Sequence, residues 1–415
     1  METSVLRVGS IRALLASDVI STTGAQMTWV ALPWFVLTTT GSATRMSVVV
    51  SAEAIGLALM AFLSVRLLNR YGSRATMLIC DALRGPLMLA IPILHWTGDL
   101  SFGLVVAVAF AIGAMTAPYF PAERMIVPEL LGEDEGVVSQ ASSLFQASRR
   151  LTLLLGAPAA GVLIGVIGAP TVLVVDAATY LVSVGLIAAF VPRTARVAAD
   201  DETRSLRVGL RWVSQDPLVR AWRFALIVGD VAWQAIFIAL PVLVVARYDA
   251  EPKIVGILFA AFGFGAVAGN AISYRLVKRI SGLTLIARVA LGQALPLWLL
   301  VAEIPAPVAV AVIAASGLAN GVINPSLHAI ITLRIPPRLR ATVLTSLMTV
   351  YALAMPIGIL GAGPLLDAFG VGPVFAICAA VQTVVMLIVA VAAVRAREVD
   401  RVEAALEPPP HSSFG

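Results

Sequence analysis

Charged residues are scarce in this chain, and their scarcity excludes a water-soluble fold. Only 13% of the 415 residues are charged and 59% are hydrophobic, against roughly 25% and 45–50% in soluble proteins. Stretches without any Asp, Glu, Lys or Arg recur at the length that about 30 Å of hydrocarbon requires of a helix. These stretches are residues 102–122, 254–274, 304–333, 341–366 and 371–394. The chain is therefore predicted to be an integral membrane protein.

Cysteines and catalytic motifs are also few. Cys80 and Cys378 are the only cysteines, and both lie in apolar runs, which excludes a disulfide framework or a metal site with cysteine spacing. No Ser-His-Asp arrangement stands out, and the absence of G-x-x-x-x-G-K-[ST] argues against an ATP-driven pump. The sequence thus predicts neither an enzyme nor a protein with a metal or other cofactor.

Apolar segments of membrane-spanning length occur twelve times, which predicts an all-α membrane protein. Asp18 interrupts the first segment, which lacks the cleavage site of a signal peptide and is predicted to be retained. The predicted spans are residues 12–37, 44–66, 75–96, 101–122, 138–167, 170–191, 218–246, 253–274, 282–302, 306–333, 340–366 and 371–394.

The basic residues follow the connections between spans. Net charge is +5 and the pI is about 9.6, but most of the 29 Lys and Arg lie in alternate loops. Because positive loops stay in the cytoplasm, both termini are predicted to be cytoplasmic in a multi-pass protein of the cell (inner) membrane. The basic balance reflects topology and lipid, and no nucleic-acid partner is expected.

A long polar connection divides the chain into six spans and six. Arg204, Arg207 and Arg211 share one face of a predicted amphipathic helix at the membrane surface. The predicted organisation is a helical bundle at 1–195, a cytoplasmic loop at 196–217, a second bundle at 218–395 and a polar, disordered tail at 396–415.

The two halves repeat each other. At a shift of about 202 residues, Gly156, Ala160, Gly161 and Gly168 align with Gly358, Ala362, Gly363 and Gly370. At a shift near 209, Arg66 and Arg70 align with Arg275 and Arg279. Two pseudo-symmetric six-helix repeats with a binding site between them are typical of secondary transporters.

This plan, with an Arg-Tyr-Gly turn after span 2, resembles the major facilitator superfamily along essentially the whole chain. QMTWVALPWFVLTTTGSA at 26–43, FPAERMIVPELL at 120–131 and DAATYLVS at 176–183 resemble bacterial exporters of drugs and siderophores, the group that contains macrolide and enterobactin efflux proteins. The resemblance implies a major facilitator fold and proton-coupled export of small hydrophobic compounds by alternating access, with the small molecule, protons and lipid as partners. One chain of this size could work as a monomer.

The loop pattern G-x-L-A-D-R-Y-G-R-R of that family matches residues 65–74. Arg70, Gly72 and Arg74 agree, whereas Asn69 replaces an aspartate that the family is thought to hold near the N-terminus of span 11. Arg70 or Arg74 is predicted to pair with Glu123 in one conformation and so to act as a gate. The alternative is a static surface ion pair, which contributes little.

In span 5, Gly156, Pro158 and Gly161 resemble a Gly-Pro-rich pattern associated with exporters. Such residues let helices approach closely and loosen the backbone ladder. Ordinary small-residue packing is the alternative interpretation.

Ionisable groups inside the membrane cost several kcal/mol, about 2.5–3.5 on insertion scales, and mark proton pathways in many transporters. Glu53 has small apolar neighbours and no basic residue within one turn, so Glu53, with Asp230 and Asp18, is the candidate for proton coupling. The alternative for Glu53 is a protonated acid that only packs helices together. Asp81, Arg84 and Arg149 are predicted to form a mainly structural charge network, and Asp176 to join helices by hydrogen bonds.

Aromatic and amide side chains in the spans would suit a bulky amphipathic substrate, although membrane anchoring and packing also use them. The candidates are Gln26, Trp29, Trp34, Trp233, Gln234, Phe237, Asn320 and Asn324. Two further functions fit the sequence, namely export of a siderophore or endogenous metabolite, and a non-transporting sensor or assembly partner with the same fold.

Overall fold

The computed structural model describes residues 8–132, 135–193, 217–335 and 339–406, and this part of the chain consists of helices and short connections without a strand. The predicted amphipathic helix at 204–213 lies outside these residues. The helices are α1 (Gly9–Thr40), α2 (Ala43–Tyr71), α3 (Ser73–Thr97), α4 (Phe102–Leu131), α5 (Glu135–Ile167), α6 (Ala169–Phe190), α7 (Pro217–Phe224), α8 (Asp230–Arg247), α9 (Pro252–Leu276), α10 (Gly282–Ala294), α11 (Ala306–Arg334), α12 (Arg340–Phe369) and α13 (Val371–Leu406).

Helices lie at all twelve predicted spans. A π-helical turn (Ala225–Gly229) joins α7 to α8 within the predicted span 7, and a 3-10 turn (Leu295–Val301) extends α10. Ten helical stretches of the described chain are long and apolar enough to cross a membrane. The predicted all-α membrane fold is therefore confirmed.

The end of the chain differs from expectation. α13 continues to Leu406, so residues 396–406 are helical where the sequence predicted a disordered tail. The segment is rich in Ala, Arg and Glu, which are strong helix formers, and it continues a helix that begins at Val371.

Glycines in a left-handed conformation mark equivalent helix ends in the two halves. Gly168 ends α5 with a φ of 80°, and Gly370 ends α12 with a φ of 75°. Residues with a Cβ seldom adopt this conformation. The two glycines are a pair in the internal alignment, so the repeat extends to the backbone geometry of these turns.

The chain forms two compact units, one of residues 1–203, 234–260 and 355–374, the other of 204–233, 261–354 and 375–415. In the first unit, α1 packs on α5 and α6, while α4 packs on α2 and α3. α2 and α4 cross closely because Gly56 faces the Phe110 carbonyl and Gly113 faces the backbone of Glu53. Small residues permit such close crossings.

The second unit has its own apolar core. Trp222 of α7, Ile286 of α10, Ile323 of α11 and Val389 of α13 are buried together. Polar contacts supplement this core, because Gln382 of α13 donates a hydrogen bond of 2.6 Å to the Gly229 carbonyl in the π-helical turn.

Candidate functional site

A cavity of about 350 Å³ lies among the helices of the first unit. Its walls come from α1, α2, α4, α6 and α12 and are largely aromatic or aliphatic. The lining residues are Ala25, Gln26, Thr28, Trp29, Val50, Glu53, Ala54, Leu57, Ile112, Gly113, Thr116, Phe120, Tyr180 and Met355. Glu53 is the only carboxylic acid among these described residues, and none of them is basic.

The backbone of α4 fixes the position of Glu53. A Cβ on Gly113 would collide with the carbonyl oxygen of Glu53, so the absence of a side chain there lets the two helices touch. Backbone atoms cannot yield to a clash as the end of a flexible side chain can. Glu53 is therefore held against the cavity wall by a rigid helix crossing rather than by a loop.

Asp81 and Arg84 form the predicted pair on one face of α3. Arg84 Nη1 donates to Asp81 Oδ1 at 3.1 Å, and Ser183 of α6 donates to Asp81 Oδ2 at 2.6 Å. The Ser183 hydroxyl also lies 2.6 Å from that of Ser17 in α1. These bonds join three helices at a fully buried carboxylate.

Arg84 also contacts an aromatic residue of the cavity wall. Its guanidinium lies 4.9 Å from the centre of the Tyr119 ring and 5.5 Å from that of Tyr180, at cation–π range. Tyr180 lines the cavity. Arg84 therefore places a positive charge behind the aromatic wall that faces Glu53.

Arg149 belongs to a different cluster from the one predicted. It forms ion pairs with Glu123 of α4 and with Asp18 of α1, the latter at 3.7 Å from Arg149 Nε to Asp18 Oδ1. Ser148 also donates to Asp18, at 3.3 Å. Arg84 and Ser183 already satisfy Asp81, whereas Asp18 and Glu123 are buried acids that need a cation.

The loop arginines have other contacts in this conformation. Arg74 donates to the carbonyls of Val191 at 2.6 Å and Ala188 at 2.9 Å, which ties α3 to the end of α6. Arg70 lies over the Tyr71 ring at 5.4 Å. Asn69 lies in the last turn of α2, and Gly72 makes the turn to α3 with a φ of 79°. Glu123 is thus paired with Arg149 here, not with Arg70 or Arg74.

Asp176 joins helices through hydroxyl groups. Thr28 of α1 donates to Asp176 Oδ2 at 2.5 Å, and Thr179 donates to Oδ1 at 3.2 Å. Gly24 of α1 packs directly on the same carboxylate. This geometry fits a role in holding α1 against α6.

Four of the predicted substrate-facing residues meet in the first unit. Trp29 packs edge-on against Phe237 and Phe259, with ring centres 6.1 and 5.2 Å apart. Gln234 lines a narrow pocket beside these three rings, and Gln26 lines the larger cavity with Trp29. Trp34 is buried in the packing of α1 and lines neither space.

The other candidates lie in the second unit. Trp233 contacts Phe262, with ring centres 4.9 Å apart. Asn324 donates to Asn320 at 2.9 Å, and Asn320 donates to Gln293 at 3.4 Å. Asp230 begins α8 directly after the π-helical turn.

The small residues of α5 make two close crossings. Gly156 faces the Gln26 side chain in α1, and Gly161 meets the backbone of α9 at Pro252 and Gly256. Pro158 lies between them inside the helix. The pattern therefore places α5 against both helices without specifying a direction of transport.

Several cavity residues were missing from the sequence prediction, among them Phe120, Tyr180 and Met355. Each lies in an apolar or aromatic stretch whose other members face lipid or the helix core. The residue type alone therefore does not distinguish a cavity residue from its neighbours. Tyr180 lies one helical turn after Asp176. This spacing from an acid inside a span was the one sequence signal that could have marked Tyr180 as a cavity residue. Among the described residues, no group of three or more His, Cys, Asp or Glu could hold a metal ion.

Comparison with known proteins links this arrangement to a transporter family. The family model of the Major Facilitator Superfamily matches residues 14–358 and 222–414. The multidrug efflux pump Tap of Mycobacterium tuberculosis is 26% identical over 377 residues, which cover 87% of this chain and 88% of Tap. Tap of Mycolicibacterium fortuitum is 26% identical over 412 residues, which cover 94% and 97%.

Solved structures agree in fold. The nucleoside transporter NupG has a TM-score of 0.71 at 13% identity, and the match covers 92% of this chain and 98% of NupG. A D-xylose–proton symporter has a TM-score of 0.64 at 15% identity, and the match covers 93% and 97%. At these identities the likeness concerns the fold alone.

Proposed function

The chain belongs to the Major Facilitator Superfamily, and we propose that it is a proton-coupled exporter of small hydrophobic drugs that works by alternating access. Membership makes it a multi-pass membrane transporter rather than an enzyme. The similarity to two multidrug efflux pumps along nearly the whole chain supports drugs as the substrate class.

The lone carboxyl group in an aromatic cavity is the observation that carries this proposal. Trp29, Phe120 and Tyr180 offer apolar and ring surfaces to a bulky compound, and Glu53 supplies one negative charge when ionised. Apolar walls with few polar groups are typical of small-molecule sites. A compound with a cationic centre can contact the Glu53 carboxylate directly.

Proton movement is coupled to substrate movement if Glu53 binds a proton and the substrate in turn but never both at once. Protonation then favours one conformation and substrate binding the other, so each drives release of its competitor. Asp18 is held by Arg149, and Glu53 lines the cavity instead, which is why Glu53 is the first coupling group in this scheme. Asp230 is the second, since it stands at the irregular turn of span 7.

Glu123 is the acidic partner in the proposed gate between the span 2–3 loop and span 4. In the present conformation Glu123 is paired with Arg149 and borders an open cavity of about 530 Å³. The proposed cycle requires Glu123 to exchange Arg149 for Arg70 or Arg74 when residues 1–195 rock against 218–395. In the proposed topology both termini and this gate face the cytoplasm, and the protein resides in the inner membrane.

Glu53→Gln tests the proposal. In inverted membrane vesicles, a pH gradient should drive accumulation of a fluorescent cationic dye by the parent protein. The variant should lose this pH-driven accumulation. It should retain dye exchange without a gradient at a reduced rate, because the aromatic walls remain while the carboxylate that titrates and contacts the dye is gone. Glu303→Gln, at an exposed position before α11, is the matched control and should behave as the parent.

Retention of pH-driven accumulation by Glu53→Gln would refute the coupling role. The substrate class is tested separately by deleting the gene and measuring susceptibility to antibiotics and dyes with and without a protonophore. Increased sensitivity supports drug export. Accumulation of an endogenous compound inside the cells, without a change in sensitivity, would instead support export of a metabolite.

A further inference from the structure

The carboxylate of Asp367, near the end of α12, binds the first turn of α2. Asp367 Oδ1 accepts a hydrogen bond from the Ala43 amide at 2.8 Å, and Oδ2 accepts from the Ser42 hydroxyl at 2.8 Å and the Thr44 amide at 2.9 Å. More than 320 residues separate the acid from these donors in sequence. Asp367 therefore caps a distant helix.

The α2 N-terminus needs such a partner. The first amides of a helix have no acceptor within the helix, and their dipoles attract negative charge. The helix's own cap, Ser42, accepts only from the Arg45 amide, at 3.2 Å. Asp367 binds the amides of Ala43 and Thr44, which Ser42 does not reach.

A close helix crossing supports the cap. Gly363 lies one turn before Asp367 on the same face of α12, and a Cβ there would collide with Ser47 and with the Ala43 carbonyl. The glycine therefore brings α12 against the start of α2, and the carboxylate locks the contact.

The internal repeat provides a natural comparison. By the two alignment shifts, Gly363 corresponds to Gly161 and Ser47 to Gly256, and these two glycines form the α5–α9 crossing. The equivalent of Asp367 there is Gly165, where a Cβ would have no neighbour within 4 Å. The equivalent of Ala43 is Pro252, which has no amide proton to cap.

The comparison separates the cap from the crossing. The α5–α9 crossing forms without a carboxylate, and Pro252 offers no amide proton there. The α12–α2 crossing has the carboxylate of Asp367, and the Ala43 amide donates to it. We propose that Asp367 is a latch that holds span 11 to span 2 on the outer side of the membrane and must release for that side to open. The side assigned to it and the need for opening rest on the proposed transport function.

Cysteine labelling tests the latch. Ser47 is fully buried at the crossing, and both native cysteines are buried, so Ser47→Cys should react with a membrane-impermeant maleimide in intact cells only when the crossing opens. Adding Asp367→Asn should raise the labelling rate about tenfold, the change expected for loss of a charged helix cap. Ser42→Ala should give a smaller increase, because it removes only one of the three bonds to Asp367. The bond from the Arg45 amide that it also removes lies within α2 and does not join the two helices.

Asp249→Asn is the matched control, since Asp249 is an exposed carboxylate in another loop that the topology places on the same side. It should leave the labelling rate unchanged. Equal labelling of Asp367→Asn and the parent would overturn the latch. If Cys80 or Cys378 also became reactive in Asp367→Asn, that variant would be unfolded and the comparison of Ser42→Ala with the parent would decide. The readout needs no drug, so failure of the proposed export function would not alter it.

Discussion

The cluster of Asp18, Glu123 and Arg149 allows a quantitative prediction. One guanidinium serves two carboxylates from different helices, and the side chains of Asp18 and Glu123 are 2% and 4% exposed. Arg149→Met removes the only cation that contacts either acid within the described part of the chain and leaves both of them buried. The stability of the bundle formed by α1, α4 and α5 should fall sharply.

Breaking a buried ion pair by removing one partner costs about 3–5 kcal/mol. The Arg149 side chain is 29% exposed, so water screens part of the interaction and about 3 kcal/mol is expected. Glu123→Gln should cost less, about 1–2 kcal/mol, because the amide keeps the shape and Arg149 keeps Asp18. In the double variant only one buried acid, Asp18, lacks a cation, so the loss should stay near that of Arg149→Met alone.

SDS titration of the protein in detergent micelles measures these free energies of unfolding, with reactivity of the buried cysteines as the signal. The expected non-additivity of the two substitutions is about 1–2 kcal/mol, typical of side chains in direct contact. Strictly additive losses would show that Arg149 and Glu123 do not interact in the folded protein, and would refute the reasoning.

Two further predictions concern the cavity. Gly113→Ala should destabilise the protein by about 1–3 kcal/mol through overpacking and should impair pH-driven transport by displacing Glu53. Gly103→Ala, in open space on the same helix, should do neither. The SDS titration measures the change in stability, and the vesicle assay measures transport. Trp29→Ala removes two edge-to-face ring contacts, each worth about 0.5–1.5 kcal/mol, and should lower resistance to aromatic compounds in susceptibility tests. Trp96→Ala, which removes an exposed tryptophan, should leave resistance unchanged.

The general architecture could be predicted because membrane insertion acts on whole segments. A helix that crosses lipid must satisfy its backbone internally and present about 20 apolar residues, and both demands are visible in the sequence. Pairs at short helical spacing could also be predicted, since neighbours three residues apart must meet. Asp81 and Arg84 are such a pair.

Partners on different helices could not be predicted in the same way. Arg149 is nearer to Glu123 than to Asp81 along the chain, but sequence separation does not pair residues of different helices. The packing of α5 on α1 and α4 places Arg149 beside Asp18 and Glu123. Asp367 shows the same limit. Its partners could not be read from the sequence, because two of the three donors are backbone amides at the start of α2, and every residue except proline carries such an amide.

The buried acids of the first unit differ in what surrounds them, and this difference supports the proposed division between structural acids and a coupling acid. Asp81 has an arginine and a serine, Asp176 two threonines, and Asp18 and Glu123 share Arg149. These ion pairs and hydrogen bonds stabilise the four acids in place, so a change in their charge would weaken those interactions. Glu53 instead lines a cavity with room for a ligand, fixed by its backbone against Gly113. The proposed coupling group must take up and release a proton in every cycle, which requires a rigid position beside a space that a ligand can enter, and the position of Glu53 meets both requirements.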